Sequence, residues 1–297
     1  LGGINPDFTS FSELSTVLNN AGQTGPVTVN VRDGVYTEQF ILSNIQGNSF
    51  TNTLTIQGES GDSSLVELNY SDNATHIVFS FSQFKGLTLR HISFDNNSSS
   101  LFTGRTPFVF DQIDTLLVTN CLFKSRSPVY YHNQVMISSC RGVLFTQNNF
   151  GNEVYIKIAN EEPSKYSDLR ILNNINISGY YGGFIKMGGS NGSGGTKLIF
   201  VGNSISASQD GTYWEDNTDL NDTLVVSDNT FPVPNGTSNR KFRIHNSEYF
   251  VFKDNIVRGG PTYFAQADSI IGNRFTGAEN TSAIVIEGGL NFIANNY

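Results

Sequence analysis

The sequence predicts an all-β fold, a parallel β-helix (β-solenoid) of roughly 10 coils with a short capping α-helix at its N-terminus. Three observations lead to this prediction. A short motif recurs along the chain, strand-like segments with alternating apolar residues precede each copy, and helical periodicity is confined to the beginning. A length of 297 residues alone suggests about two domains. The repeat favours one domain instead, with a capping segment at 1–26 and the β-helix at 27–297.

The recurring motif is an apolar residue, two variable residues, a small or amide residue, one variable residue and a second apolar residue. FTQNNF at 145–150 and VSDNTF at 226–231 are clear copies. An Asn in a tight bend tolerates left-handed backbone geometry, and its amide can bond to the next coil. We therefore expect an Asn ladder, with the copy at Asn174 imperfect because Asn176 replaces the closing apolar residue. The predicted ladder positions are Ile92, Cys121, Asn148, Asn174, Asn203, Asn229, Asn255, Asn273 and Asn295.

Two further strands with alternating apolar residues accompany each motif. Examples are Phe108 with Phe110, and Leu116 with Val118. Three short strands in each repeat predict a coil whose strands stack on those of the next coil, about 4.8 Å away. The inward Phe, Leu, Ile and Val side chains would then form one continuous core.

The ends of the chain carry different signals. Ser10 and Glu13 have the spacing of a helical capping box. Phe11, Leu14 and Leu18 follow on one helical face, and Gly22 and Gly25 end the segment, so we predict a helix that covers the first coil. The last motif reaches Tyr297 directly. We expect an additional C-terminal module or a partner to cover that coil.

Composition excludes several classes of function. The 18 Lys and Arg against 26 Asp and Glu give a net charge of −8, which argues against nucleic acid as the main partner. No apolar run approaches the roughly 18 residues that a membrane helix needs, so we expect no membrane insertion. Cys121 and Cys140 are too few for a disulfide framework or a tetrahedral zinc site. We predict that both are buried free thiols.

The N-terminal part is similar to the opening of pectin methylesterases. The similarity lies in DFTSFSEL at 7–14 and DGVYTE at 33–38, followed by LTIQG at 54–58. More widely, three strands per coil with an Asn ladder resemble the right-handed parallel β-helix superfamily of pectate lyases and pectin methylesterases, over roughly residues 27–297. The resemblance implies a right-handed β-helix. The paired Asp, Arg and Gln motifs with which the esterases catalyse are absent, so we reject esterase activity.

Two other resemblances bear on function and location. Asn217-Thr218-Asp219 is similar to the first catalytic motif of polygalacturonases, but their remaining motifs are missing, and we interpret the match as a coincidence. The opening and the Asn, Ser, Thr and Gly bias are similar to β-helix proteins secreted by Bacteroidetes-type bacteria. This resemblance implies an extracellular or cell-surface protein, which we expect to be monomeric.

In the resembled superfamily, the outer face of the first strand of each coil forms the substrate groove. Aligning the coils places Lys157, Lys186 and Arg243 in one column of that face, and we expect Trp214 to fill the coil between the last two. A line of basic residues favours a polyanionic ligand, although neutralisation by Glu161, Glu215 and other nearby acids explains it equally well. The substrate-binding residues predicted around the column are Tyr213, Trp214, His245, Tyr131, His132 and Glu161.

These residues lead to a first functional hypothesis, a polysaccharide lyase that cleaves a uronic-acid-containing polysaccharide by β-elimination. Arg243 would neutralise the substrate carboxylate, and Lys186 or Lys157 would abstract the C5 proton. No cofactor is required; Ca²⁺ could replace part of this role, although no compact acidic cluster indicates a metal site. The alternative is a non-catalytic carbohydrate-binding or adhesive module of a larger protein. A hydrolase with a carboxylate pair drawn from Glu161, Glu215 or Asp219 comes third.

Overall fold

The computed structural model describes most of the chain. The described residues are 1–2, 7–70, 77–96, 107–125, 134–151, 154–159, 167–177, 185–188, 196–205, 212–216, 222–231, 240–244, 247–258, 262–264, 267–276, 284–286 and 288–297. They fall into two compact units, Leu1–Val154 and Tyr155–Tyr297. Each unit is a parallel β-solenoid, and one short helix precedes the strands of the first. The predicted all-β solenoid with an N-terminal helix is thus confirmed, whereas the single domain over 27–297 stays a prediction.

The first unit contains helix α1 (Phe11–Ala21) and three parallel sheets. In chain order its strands are β1 (Val27–Val31), β2 (Gly34–Tyr36), β3 (Phe40–Ser43), β4 (Leu54–Gly58), β5 (Val66–Tyr70), β6 (Phe79–Ser82), β7 (Leu87–Arg90), β8 (Ser93–Asn96), β9 (Phe108–Asp111), β10 (Thr115–Thr119), β11 (Leu122–Ser125), β12 (Gln134–Ser138), β13 (Gly142–Thr146) and β14 (Asn149–Phe150). Sheet A1 has the order β1-β4-β7-β10-β13, sheet B1 the order β2-β5-β8-β11-β14, and sheet C1 the order β3-β6-β9-β12. Every third strand therefore joins the same sheet, as stacked coils require.

The second unit repeats this arrangement. In chain order its strands are β15 (Tyr155–Ala159), β16 (Ser167–Leu172), β17 (Ile185–Gly188), β18 (Thr196–Val201), β19 (Thr212–Asp216), β20 (Asp222–Ser227), β21 (Thr230–Phe231), β22 (Arg240–Ile244), β23 (Ser247–Lys253), β24 (Ile256–Arg258), β25 (Thr262–Phe264), β26 (Ala267–Ile271), β27 (Arg274–Thr276), β28 (Ile284–Ile286) and β29 (Leu290–Ala294). Sheet A2 has the order β16-β18-β20-β23-β26-β29, sheet B2 the order β21-β24-β27, and sheet C2 the order β15-β17-β19-β22-β25-β28.

The core of each unit follows from the period-2 alternation of its strands. In β9, Phe108 and Phe110 are buried while Val109 between them is partly exposed. Parallel register then stacks rings from successive coils, so that Phe123 lies 5.5 Å from Phe94 and 5.2 Å from Phe150, centroid to centroid. These stacked rings exclude water along the inside of the first unit, as the alternating pattern predicts.

Helix α1 has the predicted apolar face and covers the first coil. Phe11, Leu14 and Leu18 are buried, and the Phe11 ring lies 4.6 Å from that of Phe40 in β3. At the N-terminus, Ser10 Oγ accepts a hydrogen bond from the Glu13 N–H at 3.0 Å. The Glu13 carboxylate instead accepts from the N–H and hydroxyl of Thr9, and these bonds lower the pKa of Glu13. The cap is therefore half of a capping box, with its second bond made one residue earlier.

The predicted Asn ladder is present in the second unit. Asn229 Oδ1 accepts from the Asn203 N–H at 2.8 Å, and Asn229 Nδ2 donates to the Phe200 carbonyl at 2.9 Å. The Oδ1 atoms of Asn203, Asn255 and Asn273 likewise accept a hydrogen bond from the backbone N–H of the ladder residue in the preceding coil. Each buried amide thus satisfies backbone groups that the bend leaves outside the sheets.

Two details of the ladder differ from the sequence-based expectation. The left-handed residue is the one before the ladder Asn, for example Asp228 at φ 57° and Asp254 at φ 52°. In the last coil the ladder residue is Asn296, which accepts from the Asn273 N–H at 3.0 Å, while Asn295 holds the left-handed position at φ 54°. The prediction of Asn295 was therefore wrong by one residue. The bend needs the amide immediately after the turn, where it can reach the coil before it.

The cysteines are buried free thiols, as predicted. Burial in the apolar core raises the pKa of Cys121 and of Cys140 to about 12, because a thiolate there would lose its solvation. Both thiols are therefore fully protonated at neutral pH.

Candidate functional site

The predicted basic column lies on sheet C2. Lys157 is the third residue of β15 and is partly exposed, whereas Ile156 and Ile158 on either side are buried. Because successive strand residues point to opposite faces, Lys157 belongs to the outer face of the sheet.

The register of sheet C2 extends this column. Lys157 pairs with Lys186 in β17, Lys186 pairs with Glu215 in β19, and Glu215 pairs with Arg243 in β22. The three basic residues therefore share one column of positions, as the sequence alignment of the coils predicted. At Lys186, Glu215 and Arg243 the description covers the backbone position only. Their functional roles stay predictions.

Trp214 lies in the intervening strand β19 but does not occupy the column position there, so this part of the prediction was wrong. It pairs with Ile185 and Phe242, one position away from the column. The cause is an irregularity in β19, where Thr212 pairs with Lys241 but Trp214 pairs with Phe242, leaving Tyr213 as the extra residue of a bulge. A shift of one residue moves every following strand position to the alternate face. The neighbouring repeats carry no sign of this shift, so alignment of the coils placed Trp214, and not Glu215, in the column.

Of the remaining predicted site residues, the structure describes only the position of Tyr213. Tyr213 lies at the bulge in β19. His245, Tyr131, His132 and Glu161 lie outside the described residues.

The electrostatics of the column are mixed. Two basic positions, Lys157 and Lys186, are direct neighbours, which is unfavourable for two cations in a parallel sheet. Glu215 then separates Lys186 from Arg243, and opposite charges on adjacent strands attract. Adjacent strands are about 4.8 Å apart, so the backbones of Lys186 and Arg243 are separated by about 10 Å. The four residues sum to a formal charge of +1, within a chain whose net charge is −8.

The described residues contain no group of three or more His, Cys, Asp or Glu side chains that could hold a metal ion. No described helix is long and apolar enough to cross a membrane. Neither finding indicates which ligand or reaction the column serves.

Comparisons with known proteins add no assignment. The chain matches no protein-family model. No curated protein and no solved structure is significantly similar to it.

Proposed function

We propose that this protein binds a uronic-acid-containing polysaccharide along the outer face of sheet C2. The observation that supports the proposal is the register that places Lys157, Lys186 and Arg243 in one column of sheet C2, with Glu215 between the last two. Cations that recur along one line match a polymer whose carboxylates recur along its length. The chain as a whole is acidic, so general attraction does not account for such binding, and the local column must supply it.

The individual residues suit this ligand in different ways. Arg243 offers a planar guanidinium that can bind one carboxylate through two parallel hydrogen bonds, whereas Lys157 and Lys186 act as point charges. Glu215 occupies the position between two basic residues, and its carboxylate can accept hydrogen bonds from sugar hydroxyls. A polymer that combines carboxylates and hydroxyls therefore matches the column better than a simple polyanion such as polyphosphate.

Acidic polysaccharides of this class occur outside cells, and we extend the proposal to an extracellular or cell-surface location. This part is testable by fractionation of the native source and immunodetection of the chain.

The test compares binding of polygalacturonate, alginate and hyaluronan to the wild-type protein and to the variant Lys157→Ala/Lys186→Ala/Arg243→Ala. Calorimetric titration at low and high salt should show salt-dependent binding of at least one polymer, weakened at least about tenfold in the variant. Lys197→Ala is the matched control, because it removes a partly exposed lysine from sheet A2 of the same unit. Equal binding by all three proteins, or no binding to any acidic polymer, would refute the proposal.

Cleavage by β-elimination is the second candidate function, and the direct pairing of Lys157 with Lys186 favours it. In this reaction Lys186 Nζ takes the C5 proton, the C4–O bond breaks, and the departing oxygen takes up a proton as a C4=C5 double bond forms. The step needs a neutral amine, which a neighbouring ammonium promotes. Glu215 on the other side of Lys186 opposes it, because a nearby carboxylate favours the ammonium form. For this reason binding ranks before elimination.

The two candidates are separated by their products. Incubation with each polymer, followed by ultraviolet detection of unsaturated uronate, should show product for a lyase and none for a binding module. If Lys186→Ala abolishes product while binding remains, Lys186 is the base. If binding occurs without product, elimination is excluded and the binding function stands.

A further inference from the structure

A polar cavity of about 370 Å³ lies on the first unit, lined by residues other than those of the basic column. One wall is the loop between β4 and β5, with Asp62 and Ser63. The other is a stack of side chains from three successive bends, His91, Asn120 and Gln147. Its volume lies within the range of small-molecule sites in proteins.

The backbone explains why these side chains face outward together. His91, Asn120 and Gln147 each hold the left-handed position of a bend, at φ 58°, 51° and 57°. The bend N–H groups already bond to the next coil, from His91 to the Thr119 carbonyl and from Asn120 to the Thr146 carbonyl. At His91 and Asn120 the side chain, and not the backbone N–H, is therefore the donor or acceptor that remains to contact a ligand.

The cavity presents both donors and acceptors. Asn120 Nδ2 donates to Thr119 Oγ1 at 2.9 Å and to Gln147 Oε1 at 3.3 Å, which fixes both amides. Among the described residues, Asn120 Oδ1, Gln147 Nε2 and the His91 imidazole have no recorded hydrogen bond. Two further polar residues, Asp62 and Ser63, line the same cavity. Two fixed amides offer a donor and an acceptor side by side. A hydroxyl group can both donate and accept a hydrogen bond, so hydroxyl groups match this arrangement.

The charge of the cavity favours a neutral ligand over an anionic one. The N–H and hydroxyl of Ser64 both donate to Asp62 Oδ1, at 2.8 and 2.7 Å, and these bonds lower the pKa of Asp62. The cavity thus holds a carboxylate that stays ionised, and none of the described residues that line it is Lys or Arg. Apart from the His91 imidazole, none of these residues carries an aromatic ring, so the cavity offers no Phe, Tyr or Trp on which a planar base could stack.

We propose that this cavity binds a neutral sugar residue through Asp62, His91, Asn120 and Gln147. The carboxylate and the free amide oxygen accept from sugar hydroxyls, while the Gln147 amide and the imidazole donate to them. This site is independent of the acidic-polysaccharide site proposed on sheet C2, and it takes a ligand of different charge.

The test uses the whole chain and neutral cello-, malto-, manno-, xylo- and galacto-oligosaccharides. The probe signal is the His91 imidazole Cε1–H resonance, assigned by its loss in His91→Asn. We expect at least one oligosaccharide to shift this resonance with a dissociation constant in the millimolar range or tighter. Asn120→Gly and Gln147→Gly should each weaken binding by up to about tenfold, the factor that the loss of one hydrogen bond produces. Glycine keeps the left-handed bend while removing the amide.

Gln112→Gly is the matched control, because Gln112 also holds a left-handed position, at φ 52°, but does not line the cavity. It should leave sugar binding unchanged. Three outcomes would overturn the proposal: no neutral oligosaccharide shifts the His91 resonance, Asn120→Gly and Gln112→Gly behave alike, or Ca²⁺ alone produces the shift. Because Lys157, Lys186 and Arg243 are intact in every variant, failure here is distinguishable from failure of the acidic-polysaccharide site.

Discussion

Lys124 Nζ lies 3.1 Å from Glu67 Oε2, an ion pair between β11 and β5 that passes over the intervening strand β8. Both side chains are largely covered, at 32% and 18% exposure. Glu67 Oε1 also accepts from Asn69 Nδ2 at 3.1 Å. The pair therefore ties three coils of sheet B1 together.

We predict that Lys124→Met lowers the free energy of unfolding by about 1–2 kcal/mol, because it removes the cation beside a largely covered carboxylate. Urea denaturation followed by tryptophan and tyrosine fluorescence measures the change. Lys85→Met is the matched control, since the Lys85–Asp114 pair at 2.7 Å involves a lysine that is 56% exposed. Arg141 remains 3.6 Å from Asp114 in that variant. Equal losses in the two variants would contradict the role assigned to burial.

The Asn ladder leads to a second prediction about stability. In Asn229→Ala, the Asn203 N–H and the Phe200 carbonyl both lose a buried partner. We expect a loss of about 2–4 kcal/mol in the free energy of unfolding, since each unsatisfied buried backbone group costs about 1–3 kcal/mol. The control is Asn30→Ala, which removes an exposed acceptor of the Gln57 amide. If the two alanine variants are equally stable, the ladder is a consequence of the coils and not a cause of their stability.

The Asn ladder could be predicted from the sequence, whereas the bend residues that line the cavity could not. The amide at Asn229 could be predicted, because the bend needs a hydrogen-bonding partner and Asn recurs at this motif position from Asn148 to Asn273. The left-handed residue before it could not, because Gln147, Asp228 and Gly202 all occupy that position and share no residue type. The cavity at His91 and Asn120 is formed by residues at these left-handed positions. The apolar and Asn repeats do not include them and therefore did not indicate the cavity.

The column on sheet C2 shows a different limit. Lys157 and Lys186 were aligned correctly, because Ile156 and Ile185 mark the same position in two similar strands. The place of Glu215 in the column was not predicted, because one extra residue at Tyr213 shifts the register of every position after it. A bulge depends on backbone pairing with both neighbours, and no single repeat encodes it.

The buried thiols predict how stability depends on pH. The pKa of Cys121 and of Cys140 is about 12 in the folded protein, against 9.0 for an unperturbed thiol. Their contribution is fully present below pH 9.0 and is lost as pH rises toward 12, because only the unfolded chain then releases the protons. Between pH 8 and pH 10 we expect a loss of about 1 kcal/mol for each thiol.

Urea denaturation at the two pH values measures this loss. The variant Cys121→Ala/Cys140→Ala keeps every tyrosine and lysine, so the difference between its pH dependence and that of the wild type isolates the thiols. Identical pH dependence in both proteins would rule out the thiols as its source. A thiol reagent should also react with neither cysteine in the native protein at pH 8, and with both in urea.

Glu215 gives the prediction that best separates charge from shape on the basic column. It occupies the position between Lys186 and Arg243, so Glu215→Gln raises the local positive charge while keeping the size of the side chain. If the column attracts polymer carboxylates, this variant should bind polygalacturonate several-fold more tightly at low salt, and the gain should disappear at high salt because exposed charges are screened. Asp168→Asn is the matched control, because it also removes an acid in the second unit, on sheet A2 opposite Lys197. A similar gain in both variants would show that net charge alone governs binding. A weaker affinity in Glu215→Gln at every salt concentration would instead mean that the carboxylate contacts the sugar hydroxyls directly, and that the column recognises the polymer by hydrogen bonding as much as by charge.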